Sequence, residues 1–169
     1  MSISSLIKKI KFIVFDFDGV FTDNRVFINE KGEEAVACWR SDGLGLSKLR
    51  KAKIDGMILS TEKNIAVKKR AKKLKLVCVN GVHDKLASLN AEVEKRGLSL
   101  EEVAFVGNDI NDADCLKASG FPIVVADAHK DIIRLGKYRT KALGGRGAVR
   151  EICDLIYSIK GSKIRNDSK

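Results

Sequence analysis

The 169-residue chain lacks several features, and each absence excludes a class of protein. No long apolar run occurs. The opening stretch MSISSLIKKIKFIVFDFDG interrupts its short hydrophobic runs with Lys8, Lys9 and Lys11, so neither a signal peptide nor a membrane span is expected. Close cysteine pairs are also missing. Cys38, Cys78, Cys115 and Cys153 are widely spread with no CxxC among them, which argues against a zinc site or disulfide framework and leaves them as small core residues. The only histidines, His83 and His129, fit no metal-ligand spacing. Aromatic residues are 6% of the chain, and none interleaves with the basic run KNIAVKKRAKKLK at 63–75. The net charge of +10 therefore has no base-stacking partners there, and nucleic-acid binding rests on charge alone. Ile65, Val67, Ala71 and Leu74 give that run one apolar side, the pattern of an amphipathic helix with a solvated basic face.

What is present is the composition of a globular domain, 44% hydrophobic and 32% charged. The length suits one domain over 1–160, with a flexible polar tail at 161–169 and a cytoplasmic home. Short apolar runs recur: KFIVF at 11–15, GMILS at 56–60, LVCV at 76–79, VAFVG at 103–107 and FPIVV at 121–125. Helical patterns at 64–74, 84–96 and 111–118 separate the later ones. Such alternation predicts an α/β fold, a Rossmann-like three-layer sandwich around a mostly parallel sheet, because parallel strands need long crossovers. SLEE at 99–102 has the form of a capping box and predicts a single turn before a strand, while Gly97 stands where a helix C-cap glycine would. The segment RVFINEKGEEAVACW at 25–39 breaks the rhythm and predicts a hairpin inserted after the first strand.

Ligands of open α/β sheets gather beyond the carboxyl ends of the strands. Here those ends carry Asp16 and Asp18; Ser60, Thr61 and Glu62; Lys85 in GVHDK; and Asn108, Asp109 and Asp112 in GNDIND. A gathering of oxygen donors suits magnesium bound together with a phosphate, and a lysine would compensate the remaining negative charge. One carboxylate can attack phosphorus, while a second, two residues on, protonates the leaving oxygen and later activates water. Asp-x-Asp-Gly alone reads equally as a turn with Gly19 at positive φ. Four polar strand ends in sequence favour the chemistry.

These stretches resemble the four motifs of the haloacid dehalogenase superfamily, in that family's order. The resemblance implies that Asp16 is the nucleophile and Asp18 the general acid/base, that Ser60 and Lys85 hold the phosphoryl group, and that magnesium is bound by Asp16, the Asp18 carbonyl and the motif-four group, Asn108 or Asp109. DFDGVFTDN, RSDGLGL, STEKN, GVHDK and GGRGAVREICDLI look like a narrower branch, the capless phosphatases of 3-deoxy-manno-octulosonate 8-phosphate and of nine-carbon sialic-acid 9-phosphates. That branch implies a homotetramer, in which the hairpin and the C-terminal segment help close a neighbour's site. Glu62, where an octulosonate phosphatase has Arg in Thr-Gly-Arg, resembles the nine-carbon group. By the same likeness Glu62, Arg70, Lys73 and Arg146 line the substrate end, Arg70 and Lys73 sharing one helix face.

Motif four usually opens Gly-Asp-Asp, whereas this chain has Gly107-Asn108-Asp109. The amide brings no charge to a cation, as in the phosphatase-like domains fused to acylneuraminate cytidylyltransferases. Two functions follow: a magnesium-dependent phosphatase of 2-keto-3-deoxy sugar acid phosphates, or a catalytically weak tetramerisation or regulatory module beside a CMP-sugar acid synthetase.

Overall fold

The computed structural model describes residues 2–166. Six parallel strands form the central sheet, in the order β5-β4-β1-β6-β7-β8. They are β1 (Phe12–Phe15), β4 (Asp55–Ser60), β5 (Val77–Asn80), β6 (Val103–Gly107), β7 (Phe121–Val124) and β8 (Tyr138–Arg139). β2 (Phe27–Ile28) and β3 (Glu34–Ala35) pair antiparallel as a separate two-stranded ribbon. The helices are α1 (Ile3–Lys9), α2 (Asp42–Lys51), α3 (Ile65–Leu74), α4 (Lys85–Lys95), α5 (Ala113–Ala118), α6 (Lys130–Ile133) and α7 (Ala148–Asn166).

Central strands buried on both faces read as unbroken apolar runs, and all four residues of β1 are buried. β1 pairs with β4 on one side and β6 on the other, so the order reverses at its end and opens a crevice there. Among the described residues no further domain is inserted between the strands; the hairpin and α2 are the only elements between β1 and β4.

Ser99 and Glu102 close the expected capping box on one helical turn before β6, and Gly97 adopts φ 62° after α4. The hairpin turns at Gly32, φ 75°, while the Asn29 side chain accepts from the main chain of Lys31 and Glu33. Cys115 and Cys153 are core residues as expected, but Cys38 and Cys78 are only half-buried. The segment expected to be a flexible tail from Gly161 is helical as far as Asn166, because α7 continues through it; 167–169 lie outside the described residues. Among those residues no helix is long and apolar enough to cross a membrane.

Candidate active site

The crevice beyond β1 is a cleft of about 310 Å³, lined by Asp16, Asp18, Asn24, Ser60, Thr61, Asn108, Asp109, Ile110 and Asn111. Asp16 follows β1 directly and continues its pairing, donating its main-chain N–H to Val106. Its side chain is fixed through one oxygen. Oδ1 accepts from Phe17 N at 2.7 Å and from Lys85 Nζ at 2.9 Å, while Oδ2 makes no bond among the described residues.

Lys85 enters from the first turn of α4, which Asp84 caps by accepting from Ala87 N. Its ammonium also meets Asp112 Oδ1 at 2.7 Å, and all three side chains of this cluster are buried. An unpaired charge would be prohibitive here, so Lys85 and its two carboxylates stand or fall together. Burial, reinforced by the Asp112 charge, pushes Asp16 up to about 7 against the pull of Lys85. Burial alone would lower Lys85, but Asp16 and Asp112 outweigh it and hold its pKa above the ordinary value.

Asp112 is wholly buried and occupied by protein donors rather than turned to the cleft. Its Oδ2 accepts from Asn108 N at 2.9 Å and from Asp109 N at 3.3 Å, so it shapes the motif-four loop from below. Asp109 Oδ1 caps the next turn by accepting from Ile110 N, though the residue still lines the cleft. Asn108 lies against Gly19: a Cβ on that glycine would come within 1.9 Å of Asn108 Nδ2, and Gly19 has φ 73°. The Asn108 amide oxygen is buried and has no hydrogen-bond partner. That orphaned oxygen, beside the Asp16 carboxylate and the Asp18 segment, is a donor set of the hard kind that magnesium accepts. Among the described residues no three Asp, Glu, His or Cys side chains group as a metal cluster.

Asp18 is half-buried, and its pKa is raised by burial first and by the nearby Glu62 carboxylate second, against a hydrogen bond from Thr22. Ser60 ends β4 with its Oγ accepting from Glu62 N at 3.1 Å. Glu62 and Asp18 line a smaller adjoining pocket with Glu34 and Asn64, and Glu62 Oε1 accepts from Asn64 N. Arg70 and Lys73 are not in either pocket of this chain. They line a separate hollow of about 210 Å³ with Cys38 and Arg40, where Arg70 donates to the Trp39 carbonyl. Arg146 is exposed near Asp23, 3.6 Å from its carboxylate. Sequence reasoning missed Asn24, Ile110 and Asn111; no spacing marks Asn24, whose place in the cleft depends on its φ of 63°.

Known proteins share this fold and much of this sequence. The 3-deoxy-D-manno-octulosonate 8-phosphate phosphatase of Salmonella typhi is 34% identical over 155 residues, 91% of this chain and 82% of that protein. The Moraxella catarrhalis enzyme of that name, solved with magnesium, phosphate and the octulosonate, superposes with a TM-score of 0.91 at 31% identity, covering 98% of this chain and 95% of that one. The cobalt-bound Haemophilus influenzae phosphatase gives a TM-score of 0.87 at 29% identity over 92% of each chain. With residues 48–149 also matching the family model, the chain belongs to the haloacid dehalogenase-like hydrolases.

Proposed function

We propose that this protein is a magnesium-dependent phosphomonoesterase acting on 2-keto-3-deoxy sugar acid phosphates through a phosphoryl-Asp16 intermediate. The observation that carries the reading is the state of Asp16: Oδ1 is fixed by Lys85 and Phe17, and Oδ2 is left for attack. The ester of a sugar phosphate would enter the cleft with its phosphoryl group against Lys85 and Ser60. Oδ2 forms a bond to phosphorus as the bond to the sugar oxygen breaks, and Asp18 supplies the proton that oxygen needs. Asp18, now ionised, takes a proton from water, which attacks phosphorus and frees Asp16. Asp16, the Asp18 carbonyl, Asn108 and Asp109 are the groups that would hold magnesium, which when bound offsets the negative charge gathered at the phosphoryl group.

The relatives' named substrate supports the eight-carbon acid. The carboxylate of Glu62 beside Asp18 supports a nine-carbon N-acylneuraminate or deaminoneuraminate 9-phosphate, whose longer side chain carries hydroxyls at C7 and C8 that can donate to it. Glu62 is therefore the residue expected to set chain length, with Arg70, Lys73 and Arg146 contributing from across a homotetramer contact.

Phosphate release measured over eight- and nine-carbon keto-sugar acid phosphates, with and without magnesium, tests the reading. Turnover that requires magnesium and is abolished in Asp16→Asn is expected. Equal inertness of wild type and variant would instead leave the weak regulatory module that Asn108 suggests.

A further inference from the structure

Thr22 is wholly buried six residues after Asp16, inside the DFDGVFTDN stretch but with none of the roles assigned above. Its main chain is locked: Thr22 N donates to Phe17 O, and the residue forms an isolated bridge with Cys38 at the end of the hairpin. A threonine hydroxyl has one proton and two lone pairs. Gly19 N at 3.1 Å and Asn24 N at 3.2 Å both donate to Thr22 Oγ1 and occupy those lone pairs. The proton is left to point at an acceptor, and the acceptor is Asp18 Oδ1 at 3.4 Å. This distance is long for an O–H···O bond, and catalytic contacts of this kind shorten once substrate is bound.

Asp18 needs such a partner. Glu62 and Glu34 share its pocket and set negative charge against the positive charge of Lys85, and among the described residues Thr22 is the single hydrogen-bond donor to its carboxylate. Without the hydroxyl, the carboxyl group has nothing to keep it turned toward the ester oxygen.

We propose that Thr22 is a positioning residue for Asp18, its hydroxyl orienting the acid/base carboxyl group toward the leaving oxygen while the same atom ties Gly19 and Asn24 into one loop. The inference rests on the role given to Asp18 above. Thr22 itself gains and loses no proton; the transfer is from Asp18 to the sugar oxygen.

Leaving groups separate this role from mere support of the fold. An alkyl alcohol must be protonated as it departs, whereas p-nitrophenolate need not be. The quantity to measure is kcat/KM, which reports steps only as far as loss of the leaving group. Octulosonate 8-phosphate and p-nitrophenyl phosphate would be compared in the wild type, Asp18→Asn, Thr22→Val, Thr22→Ala and Thr22→Ser. Asp18→Asn should lose on the order of a hundredfold on the sugar phosphate and far less on the aryl ester. Thr22→Val or Thr22→Ala should lose about tenfold on the sugar phosphate with the aryl ester within about twofold, and Thr22→Ser should restore the wild-type ratio. If Asp18→Asn is selective while both hydroxyl-free Thr22 variants lose equally on the two esters, or lose nothing, the Thr22 inference alone is overturned. If Asp18→Asn shows no selectivity, the acid/base reading falls and takes Thr22 with it.

Discussion

At Asn108 the chain keeps a buried amide oxygen without a hydrogen-bond partner, which costs about 1–3 kcal/mol in a folded protein. The neighbouring main chain is well satisfied, since Asn108 N donates to Asp112 and Asn108 O accepts from His129 N. The cost is therefore local to the side chain, at the point where a cation would be held. A carboxylate of the same shape should bind magnesium more tightly, because it adds a full charge where the amide offers a dipole. Asn108→Asp is predicted to lower the magnesium concentration for half-maximal phosphate release by about tenfold, or about 1.4 kcal/mol. Without the metal the variant should melt below wild type, since a third buried carboxylate then joins Asp16 and Asp112, and added magnesium should restore the loss. A magnesium titration followed by activity and by thermal melting checks both halves. An unchanged titration would remove Asn108 from the metal site.

Among the elements, α2 is the one held by an unusual group. Asp42, its first residue, is 1% exposed, and its carboxylate faces the Arg150 main chain without a well-formed hydrogen bond. Burial pushes its pKa up to about 7, against the charges of Arg70 on α3 and Arg150 on α7. An acid whose folded pKa lies above its unfolded value binds protons more tightly when folded, so its contribution to stability is present at low pH and fades as pH rises from about 4 to about 7. Asp42→Asn does not titrate. Its stability relative to wild type should rise between pH 5 and pH 8, by up to about 2.7 kcal/mol, the two pH units of the shift that lie above pH 5. Urea midpoints at the two pH values measure this, and a constant difference between the proteins would refute it. α2 was also hard to foresee from the sequence. DGLGLSKLRK carries two glycines that weaken a helical pattern, yet a Cβ on Gly45 would meet Cys153 Cβ at 2.9 Å and Arg150 Cδ at 3.0 Å. The glycine permits close packing on α7, a tertiary reason that periodicity does not carry. β8, with two residues, is too short to leave a pattern, whereas the five longer strands are legible as apolar runs, fully buried in β1, β6 and β7 and only partly so in the edge strand β5. The same divide holds in the cleft. Asp16, Asp18, Ser60, Asn108 and Asp109 lie at strand ends and were legible, while Thr22 and Asn24 depend on how the loop folds back.

For the whole molecule, the β2–β3 ribbon poses the main question. Two strands of two residues do not form a stable unit in water, and this ribbon exposes Val26, Phe27 and Ile28 to 49%, 60% and 68%. Its ties to the body include a bond between Asn64 Nδ2 and Glu34, the Thr22–Cys38 bridge, the Arg70 bond to the Trp39 carbonyl, and the packing of Val36 and Cys38 on the core, none of which covers Val26, Phe27 or Ile28. Exposed neighbouring apolar side chains on a projecting ribbon mark a surface that another chain covers. A second copy is the fitting partner because the ribbon rises beside Asp18, and a cleft with no cap gains water exclusion from whatever docks there. This demand supports the homotetramer proposed above. Phe27→Glu combined with Ile28→Lys should leave the fold within about 0.5 kcal/mol of wild type, since both side chains already face solvent. If the wild type sediments as the proposed tetramer, the variant should sediment as a smaller species and lose turnover on the sugar phosphate in proportion to the dissociated fraction. A wild type that sediments as a fully active single chain at micromolar concentration would refute the assembly, and an intact tetramer in the variant would move the contact away from the ribbon.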